Sequence, residues 1–361
     1  MVGGEGERAR YLSLMQQILP APRTPRELIE LFAVYESQNG INSVLFGADF
    51  STLDRAGVLT AALGKVPQRR LEQEAPADYN PRGHMRTLLH SVEFRERARR
   101  LILGAFPEKR RAIFIHIPKC AGSDLTDTIR RRYPTLQHGY FDAKGHSPEG
   151  FFWNLREFAI GVRYTDTIAL CGHERLCNYQ QQRLVRPVDW VFTVIREPAA
   201  LMYSHISYVL TICRSAPATR RPDGLGWLRL LGISEIPEDA SDADMADLAR
   251  QVMYNTPIPL RNPICDSLGD GSAITALERM AESNIEITDT TRYAAWRRAT
   301  FPWAEETRAN ASTPYFTPAV ATQRDRDYIA AATEEDRKLF EAIREKLDLT
   351  GELSIRGRKL G

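Results

Sequence analysis

Short runs of β-branched and aromatic residues, interspersed with helical patterns, constrain the fold of this 361-residue chain more than any other feature. The runs cover residues 112–117, 166–170 and 190–195, and each is apolar enough to be buried on both faces. Helical patterns follow the first run at about 123–132 and the third up to about residue 212. Because buried strands that alternate with helices form parallel sheets, the sequence predicts an α/β fold with a parallel sheet flanked by helices.

The patterning divides the chain into two regions. Residues 1–105 predict an α-helical N-terminal region, and residues 106–361 predict the α/β domain. Within that domain, 214–240 has no clean periodicity, which predicts an irregular insertion at about 214–260 in which a helix begins at 242. Further helices are expected at 242–254, 272–283, 289–298 and 325–347, and a short strand at 285–287.

Composition excludes several classes of protein. The 48 Lys and Arg residues nearly balance the 46 Asp and Glu residues, and the net charge of +2 predicts no nucleic-acid partner. Five cysteines without CxxC spacing favour a reducing compartment over a disulfide framework. Neither an apolar signal segment nor a run long enough to span a membrane is found, so we expect a cytoplasmic protein without a transmembrane segment.

The most informative segment is the loop that follows the first strand, His116-Ile117-Pro118-Lys119-Cys120-Ala121-Gly122-Ser123. A turn between a parallel strand and a helix presents backbone N–H groups to an anion, and Lys119 adds a full charge. This pattern predicts a phosphate site on a P-loop-like sheet. The other interpretation is a tight strand-to-helix connection with a solvated lysine. The lysine precedes the glycine, so the Walker pattern of Mg²⁺-dependent nucleotide hydrolysis is absent.

A second anion-binding pattern follows the strand at 190–195. Arg196 stands at the carboxyl end of this strand, and Ser204 follows in the next helix. Anion sites on two strand ends suggest a nucleotide with two separated phosphates. A purely structural Arg-Glu-Pro turn is the other interpretation.

Together, these two segments resemble the phosphate-binding elements of sulfotransferases that use 3′-phosphoadenosine-5′-phosphosulfate. The resemblance is strongest to the branch that contains heparan-sulfate 2-O- and 6-O-sulfotransferases and bacterial relatives. Cys171-Gly172-His173 is similar to the strand-end Gly-His of that branch, and Asn310-Ala311-Ser312 is a weaker match to its C-terminal loop. The resemblance covers about residues 112–345.

The resemblance implies a role for each matching residue. The 5′-phosphosulfate would contact Lys119, Ala121, Gly122 and Ser123, with Cys120 contributing its backbone N–H, and the 3′-phosphate would contact Arg196 and Ser204. Lys119 and His173 would be catalytic, with His173 as the base for an acceptor hydroxyl on a carbohydrate or glycolipid, and no metal would be needed. Cys120 and Asp124 depart from the family pattern, which usually has hydroxyl residues there.

Several alternatives remain open at this point. Cys171, His173 and Cys177 are also a possible zinc set, and Cys120 a possible thiol nucleophile. His116 lies within the predicted strand, where we expect it to be a buried, hydrogen-bonding residue. The aromatic residues Tyr203, Tyr208 and Trp227 fit either core packing or stacking on a sugar. At the level of function, a noncatalytic nucleotide-binding adaptor and a nucleotide kinase are the competing hypotheses, and the oligomeric state is open.

Overall fold

The structure is a computed structural model that describes residues 54–63, 79–89, 91, 93, 103, 106–138, 158, 161–181, 183–219, 222–255, 261–304 and 314–359. The helices are α1 (Arg55–Leu63), α2 (Pro81–Leu89), α3 (Gly122–Arg130), α4 (Leu176–Gln181), α5 (Pro198–Thr219), α6 (Pro222–Leu230), α7 (Asp242–Asn255), α8 (Pro263–Gly269), α9 (Ala273–Glu282), α10 (Tyr293–Thr300), α11 (Gln323–Ala332) and α12 (Glu334–Thr350). The strands are β1 (Arg110–Ile115), β2 (Thr135–His138), β3 (Thr167–Gly172), β4 (Trp190–Ile195), β5 (Glu286–Asp289) and β6 (Ile355–Arg356).

The strands form one sheet in the order β2-β3-β1-β4-β5-β6. β2 pairs with β3 and β4 with β5 in parallel, whereas β6 is antiparallel to β5. The predicted α/β fold with a mostly parallel, helix-flanked sheet is therefore confirmed. Most of the predicted helical region 1–105 lies outside the described residues, although α1 and α2 are helical.

Most predicted elements of the α/β region agree with the structure within a few residues. β4 has the predicted bounds, and β1, β3 and β5 differ from the predicted strands by one to two residues at their ends. Helices α3, α7 and α9 also agree closely with the patterns that predicted them. Buried apolar runs therefore predict these strands, and amphipathic periodicity predicts these helices, because the apolar residues of each pattern are the ones that pack in the core.

Residues 214–240, which were expected to have no regular structure, are helical over much of their length. α5 continues to Thr219 and α6 covers Pro222–Leu230. The close contact of α5 with α6 explains the missing periodicity, because a Cβ on Gly224 would lie 2.6 Å from Ala216 Cβ and 2.6 Å from the Ile212 carbonyl oxygen. A helix that approaches its neighbour through a glycine shows no apolar side chain at that position.

Two other predicted helices differ in extent. The helix expected at 289–298 begins only at Tyr293, because Asp289 ends β5 and its Oδ1 accepts the N–H groups of Thr291 and Arg292 at 2.8 and 2.9 Å. The helix expected at 325–347 is two helices. The amide oxygen of Asn262 accepts the N–H groups of Glu335 and Asp336 at 3.0 and 3.3 Å, which starts α12 separately from α11.

The chain forms two compact units. The first comprises Met1–Ile113, Arg132–Gly172 and Gln182–Leu184, and the second Phe114–Arg131, His173–Gln181 and Val185–Gly361. In the first unit, the buried Arg111 guanidinium donates to the carbonyl oxygens of Leu184 and Leu103 at 3.1 and 2.9 Å. In the second, Phe192 stacks on Phe114 and contacts Trp296, which places an aromatic core beside β4. All predicted donor-binding and catalytic residues belong to the second unit.

Candidate active site

The loop between β1 and α3 has an unusual backbone. The Cys120 N–H donates to the Ile117 carbonyl oxygen at 3.3 Å, which closes the turn. Lys119 and Ala121 have φ values of 65° and 60°, a left-handed region that residues other than glycine rarely adopt. A left-handed residue followed by a helical one, as Ala121 and Gly122 are here, aims successive N–H groups into a shared concavity that suits an anion.

The N-terminus of α3 has no side-chain cap. Ala121 occupies the N-cap position, and its methyl group cannot accept a hydrogen bond from the first-turn amides. The helix that follows β4 contrasts with it, because the Glu197 carboxylate accepts the N–H groups of Ala199 and Ala200 at 3.1 and 2.6 Å. Of these two helix N-termini, α3 is therefore the one suited to an external anion.

Lys119 is held at both its backbone and its side chain. The Arg196 Nη1 donates to the Lys119 carbonyl oxygen at 3.3 Å, which joins the end of β4 to the loop. The Lys119 Nζ lies 4.3 Å from the centroid of the Tyr208 ring. Burial, and secondarily the positive charge of Arg196, lower the pKa of Lys119. The structure thus brings the two predicted phosphate elements into direct contact.

His173 and His116 form a stacked pair. Their ring centroids are 3.9 Å apart, and His173 Nδ1 lies 2.8 Å from the His116 carbonyl oxygen. Since a carbonyl oxygen only accepts, Nδ1 carries the hydrogen, and in the neutral ring the lone pair is on Nε2. Burial first, then the charges of His173 and Lys119, lower the pKa of His116 well below its ordinary value. His116 is therefore a neutral ring against which His173 is oriented.

The glycine of the loop is required by this histidine pair. A Cβ on Gly122 would lie 1.7 Å from His116 Nε2 and 1.8 Å from His116 Cδ2. The His116 ring thus rests on the Cα of the first residue of α3. This contact connects the phosphate loop to the ring that stacks on His173.

His205 is a half-buried histidine of α5 to which the sequence pattern assigns no role. Burial first, then the charges of Lys119 and His173, lower its pKa to about 4. It follows Ser204 in α5, and Tyr208 lies one turn after Ser204 on the same helix face. That spacing was a usable signal, because a phosphate role for Ser204 implies that Tyr208 faces the same side.

Cys120 and Asp124, which differ from the pattern that the loop resembles, are both buried. Asp124 is buried and turned into the protein, where Tyr293 donates to its Oδ2 and Arg297 Nε lies 3.1 Å from the same oxygen. The carboxylate is thus neutralised by partners behind the loop. Cys120 is fully buried, and burial raises the pKa of its thiol. This environment opposes a thiolate nucleophile. The Cys120 N–H, which was expected to contact the phosphate, is instead donated to the Ile117 carbonyl oxygen within the turn.

The structure lends no support to the zinc alternative. Cys177 Sγ donates to Asp270 Oδ1 at 3.4 Å. Among the described residues, no group of three or more His, Cys, Asp or Glu side chains is arranged to hold a metal ion. Within the same part of the chain, no helix is long and apolar enough to cross a membrane.

A cleft of about 670 Å³ lies between other residues of the second unit. Its walls are Arg250, Gln251, Tyr254, Arg324 and Tyr328, and none of these belongs to the predicted site. The predicted site is thus defined by its charges and backbone geometry and not by this cleft.

Tyr203, Tyr208 and Trp227, for which the sequence suggests either core packing or stacking on a sugar, differ in their surroundings. Tyr203 is buried, with its ring 5.6 Å from that of Phe316, and Trp227 packs against the same hydrophobic cluster. Both serve core packing. Tyr208 instead contacts the loop lysine.

No protein-family model, curated protein or solved structure matches this chain.

Proposed function

We propose that the protein is a sulfotransferase that moves a sulfuryl group from 3′-phosphoadenosine-5′-phosphosulfate to an acceptor hydroxyl, with a carbohydrate or glycolipid as the acceptor. The observation that carries this proposal is the contact between the two phosphate elements, in which Arg196 donates to the carbonyl oxygen of Lys119. A nucleotide with phosphates at both its 5′ and 3′ positions is the ligand class that uses both elements at once.

Donor binding is supported by charge and by backbone geometry. The uncapped N-terminus of α3, the left-handed Ala121 and the Lys119 ammonium suit the 5′-phosphosulfate. The Arg196 guanidinium and the Ser204 hydroxyl are assigned to the 3′-phosphate, where a planar guanidinium is the better donor than an ammonium. With these assignments, the loop binds a phosphate through its backbone as a P-loop does, although its sequence lacks the Walker spacing.

The proposed reaction is a direct, in-line transfer of the sulfuryl group from the donor to the acceptor oxygen. His173 Nε2 accepts the proton of the acceptor hydroxyl, whose oxygen forms a new bond to sulfur. The bond from sulfur to the 5′-phosphate oxygen breaks in line, and its electron pair remains on that oxygen. Lys119 and the loop amides stabilise this developing charge, so adenosine 3′,5′-bisphosphate leaves as the second product. No residue role in this step needs a metal.

The neutral His116 ring supports the role of His173. An imidazole that accepts a proton becomes positive, and a second charged imidazole 3.9 Å away would oppose this change. Because burial keeps His116 neutral, the stacked pair accommodates one positive charge. The His116 carbonyl oxygen fixes the tautomer that leaves Nε2 as the base.

The noncatalytic adaptor is the competing function, and its motivation was the unusual residues at 120 and 124. Asp124 now has internal partners and does not face the loop, which weakens that motivation. The kinase alternative requires a Walker arrangement that the loop does not have.

The experiment that tests the proposal is an acceptor-panel assay with ³⁵S-labelled donor and purified protein. Label should appear on a hydroxyl-bearing acceptor with wild type and with Lys338→Ala, which removes an exposed lysine of α12, but not with Lys119→Ala. Stabilisation by adenosine 3′,5′-bisphosphate without any labelled product would support the adaptor. Mg²⁺-dependent transfer of phosphate from ATP would support the kinase.

A further inference from the structure

The Lys119 ammonium lies in an environment that disfavours its charge. The side chain is partly withdrawn from water, and Arg196 places a second positive charge beside it. A lysine that stabilises a leaving group has to stay protonated and stay in one place. The site therefore needs a group that favours the ammonium without neutralising it.

Tyr208 supplies such a group. Its ring centroid is 4.3 Å from Lys119 Nζ, well inside the roughly 6 Å over which an aromatic face attracts a cation. An aromatic face offers negative electrostatic potential but no full charge, so it does not compete with a phosphate for the lysine as a carboxylate would. The ring also belongs to α5, the helix that contains Ser204.

We infer that Tyr208 is a positioning residue that holds the Lys119 ammonium at the phosphate loop through the face of its ring. The catalytic consequence rests on the proposed function, whereas the contact itself does not. Because Arg196 holds the backbone of Lys119 and Tyr208 holds its ammonium, the lysine is fixed from β4 and α5 together. Ser204, which is assigned to the 3′-phosphate, and Tyr208, which holds the lysine assigned to the 5′-phosphosulfate, thus lie on the same helix, α5.

A double-mutant cycle in the nucleotide-free protein tests the contact directly. The variants are Tyr208→Leu, Lys119→Met and their combination, compared by urea unfolding. Tyr208→Leu should lower the folding equilibrium constant by about 2- to 30-fold more in the wild-type background than beside Lys119→Met. Tyr208→Phe keeps the ring, so the interaction with Lys119 should remain, and Tyr208→Leu should show the same coupling to Lys119→Met when it is compared with Tyr208→Phe as when it is compared with wild type. Tyr328→Leu is the control, because it removes another half-buried tyrosine of the same unit and should show no coupling to Lys119→Met.

Replacement of Tyr208 by pentafluorophenylalanine keeps the ring shape and reverses its electrostatic potential, so it tests the inference even if Tyr208→Leu does not fold. The fluorinated variant should lose the coupling that Tyr208→Phe retains. Equal losses for Tyr208→Leu in both backgrounds, or equal coupling for the phenyl and fluorinated rings, would overturn the inference.

Calorimetry with adenosine 3′,5′-bisphosphate separates this inference from the proposed function. Weaker binding by Tyr208→Leu, with Tyr208→Phe near wild type, is expected if both hold. Coupling in unfolding without any nucleotide binding would retain Tyr208 as the partner of Lys119 and reject the proposed function. Nucleotide binding that is unchanged by Tyr208→Leu would reject the positioning role.

Discussion

Replacement of Gly122 by alanine should destabilise the protein, although alanine in the first turn of a helix ordinarily does the opposite. Gly122 is not among the residues with positive φ, so the backbone alone would gain about 0.4–1 kcal/mol from the loss of glycine flexibility in the unfolded chain. The added Cβ, however, would lie 1.7 Å from His116 Nε2.

The magnitude follows from how far the histidine has to move. Ordinary van der Waals contact begins at 3.4 Å, so the His116 ring has to shift by about 1.7 Å. His173 stacks on this ring at 3.9 Å and Phe114 at 5.3 Å, which restricts that shift. Overpacking of this kind costs about 1–3 kcal/mol or more, and a ring shift of about 1.7 Å belongs to the upper part of that range, about 2–3 kcal/mol, which exceeds the gain from alanine. We therefore expect a net loss of about 1–2 kcal/mol in unfolding free energy.

Urea unfolding and calorimetry with adenosine 3′,5′-bisphosphate measure this prediction. Gly122→Ala should lower both the unfolding free energy and the nucleotide affinity. Gly226→Ala in α6 is the matched control, because no atom lies within 4 Å of its Cβ position and it should be neutral or stabilising. Addition of His116→Ala to Gly122→Ala should recover part of the loss, since it removes the clashing ring. If Gly122→Ala is as stable as Gly226→Ala and binds the nucleotide normally, the packing described for the loop is wrong.

Three further predictions concern the base, the lysine and a buried carboxylate. His173→Ala should cost about 10²–10⁴-fold in turnover and remove the acidic limb of the pH–rate profile while donor affinity survives; a folded variant that keeps a third of wild-type turnover would exclude His173 as the base. Lys119→Ala should reduce kcat more than donor affinity, because the leaving-group charge develops only in the transition state, and an unchanged kcat would remove Lys119 from the mechanism. Asp336 accepts the N–H groups of Ile264 and Cys265 at 3.0 and 2.7 Å, so Asp336→Ala should lower the unfolding free energy by about 1–3 kcal/mol per unsatisfied donor. Burial raises the pKa of Asp336 to about 6, so the folded protein holds this proton more tightly than the unfolded chain does. The stability that this difference contributes is lost as the pH rises through about 6. Urea unfolding from about pH 4 to 8 should show this loss in wild type and not in Asp336→Ala.

The sequence predicted the central strands because burial and composition agree there. Residues of β4 from Val191 to Ile195 are all buried, and their pattern predicted the strand with its observed bounds. β2 has a single strongly apolar residue, Leu136, and β6 has only two residues, so neither produces a pattern that stands out from a loop. The start of α12 depends on Asn262, a residue more than 70 positions away whose capping role no local pattern reveals.

In the candidate site, too, local sequence patterns predict individual residues but not the contacts between residues that are far apart in the chain. The loop lysine, the strand-end arginine and the strand-end histidine were found because each follows a recognisable strand. The contact of Lys119 with Tyr208 and the stack of His173 on His116 depend on how α5 and the loop pack, which spacing alone does not define. The inward orientation of Asp124 likewise depends on Tyr293 and Arg297, which lie about 170 residues later in the chain.

The most direct test of the account is whether the two phosphate elements form one nucleotide site. Calorimetry should compare adenosine 3′,5′-bisphosphate with adenosine 5′-phosphate in wild type, Ser204→Ala and Arg196→Ala. Ser204→Ala should weaken only the bisphosphate. Arg196→Ala should weaken the bisphosphate by about 10- to 150-fold. It should weaken adenosine 5′-phosphate by much less. A small loss is expected for this nucleotide because Arg196 also donates to the Lys119 carbonyl oxygen. Equal losses for the two nucleotides in both variants, or no binding of the bisphosphate to wild type, would contradict the account.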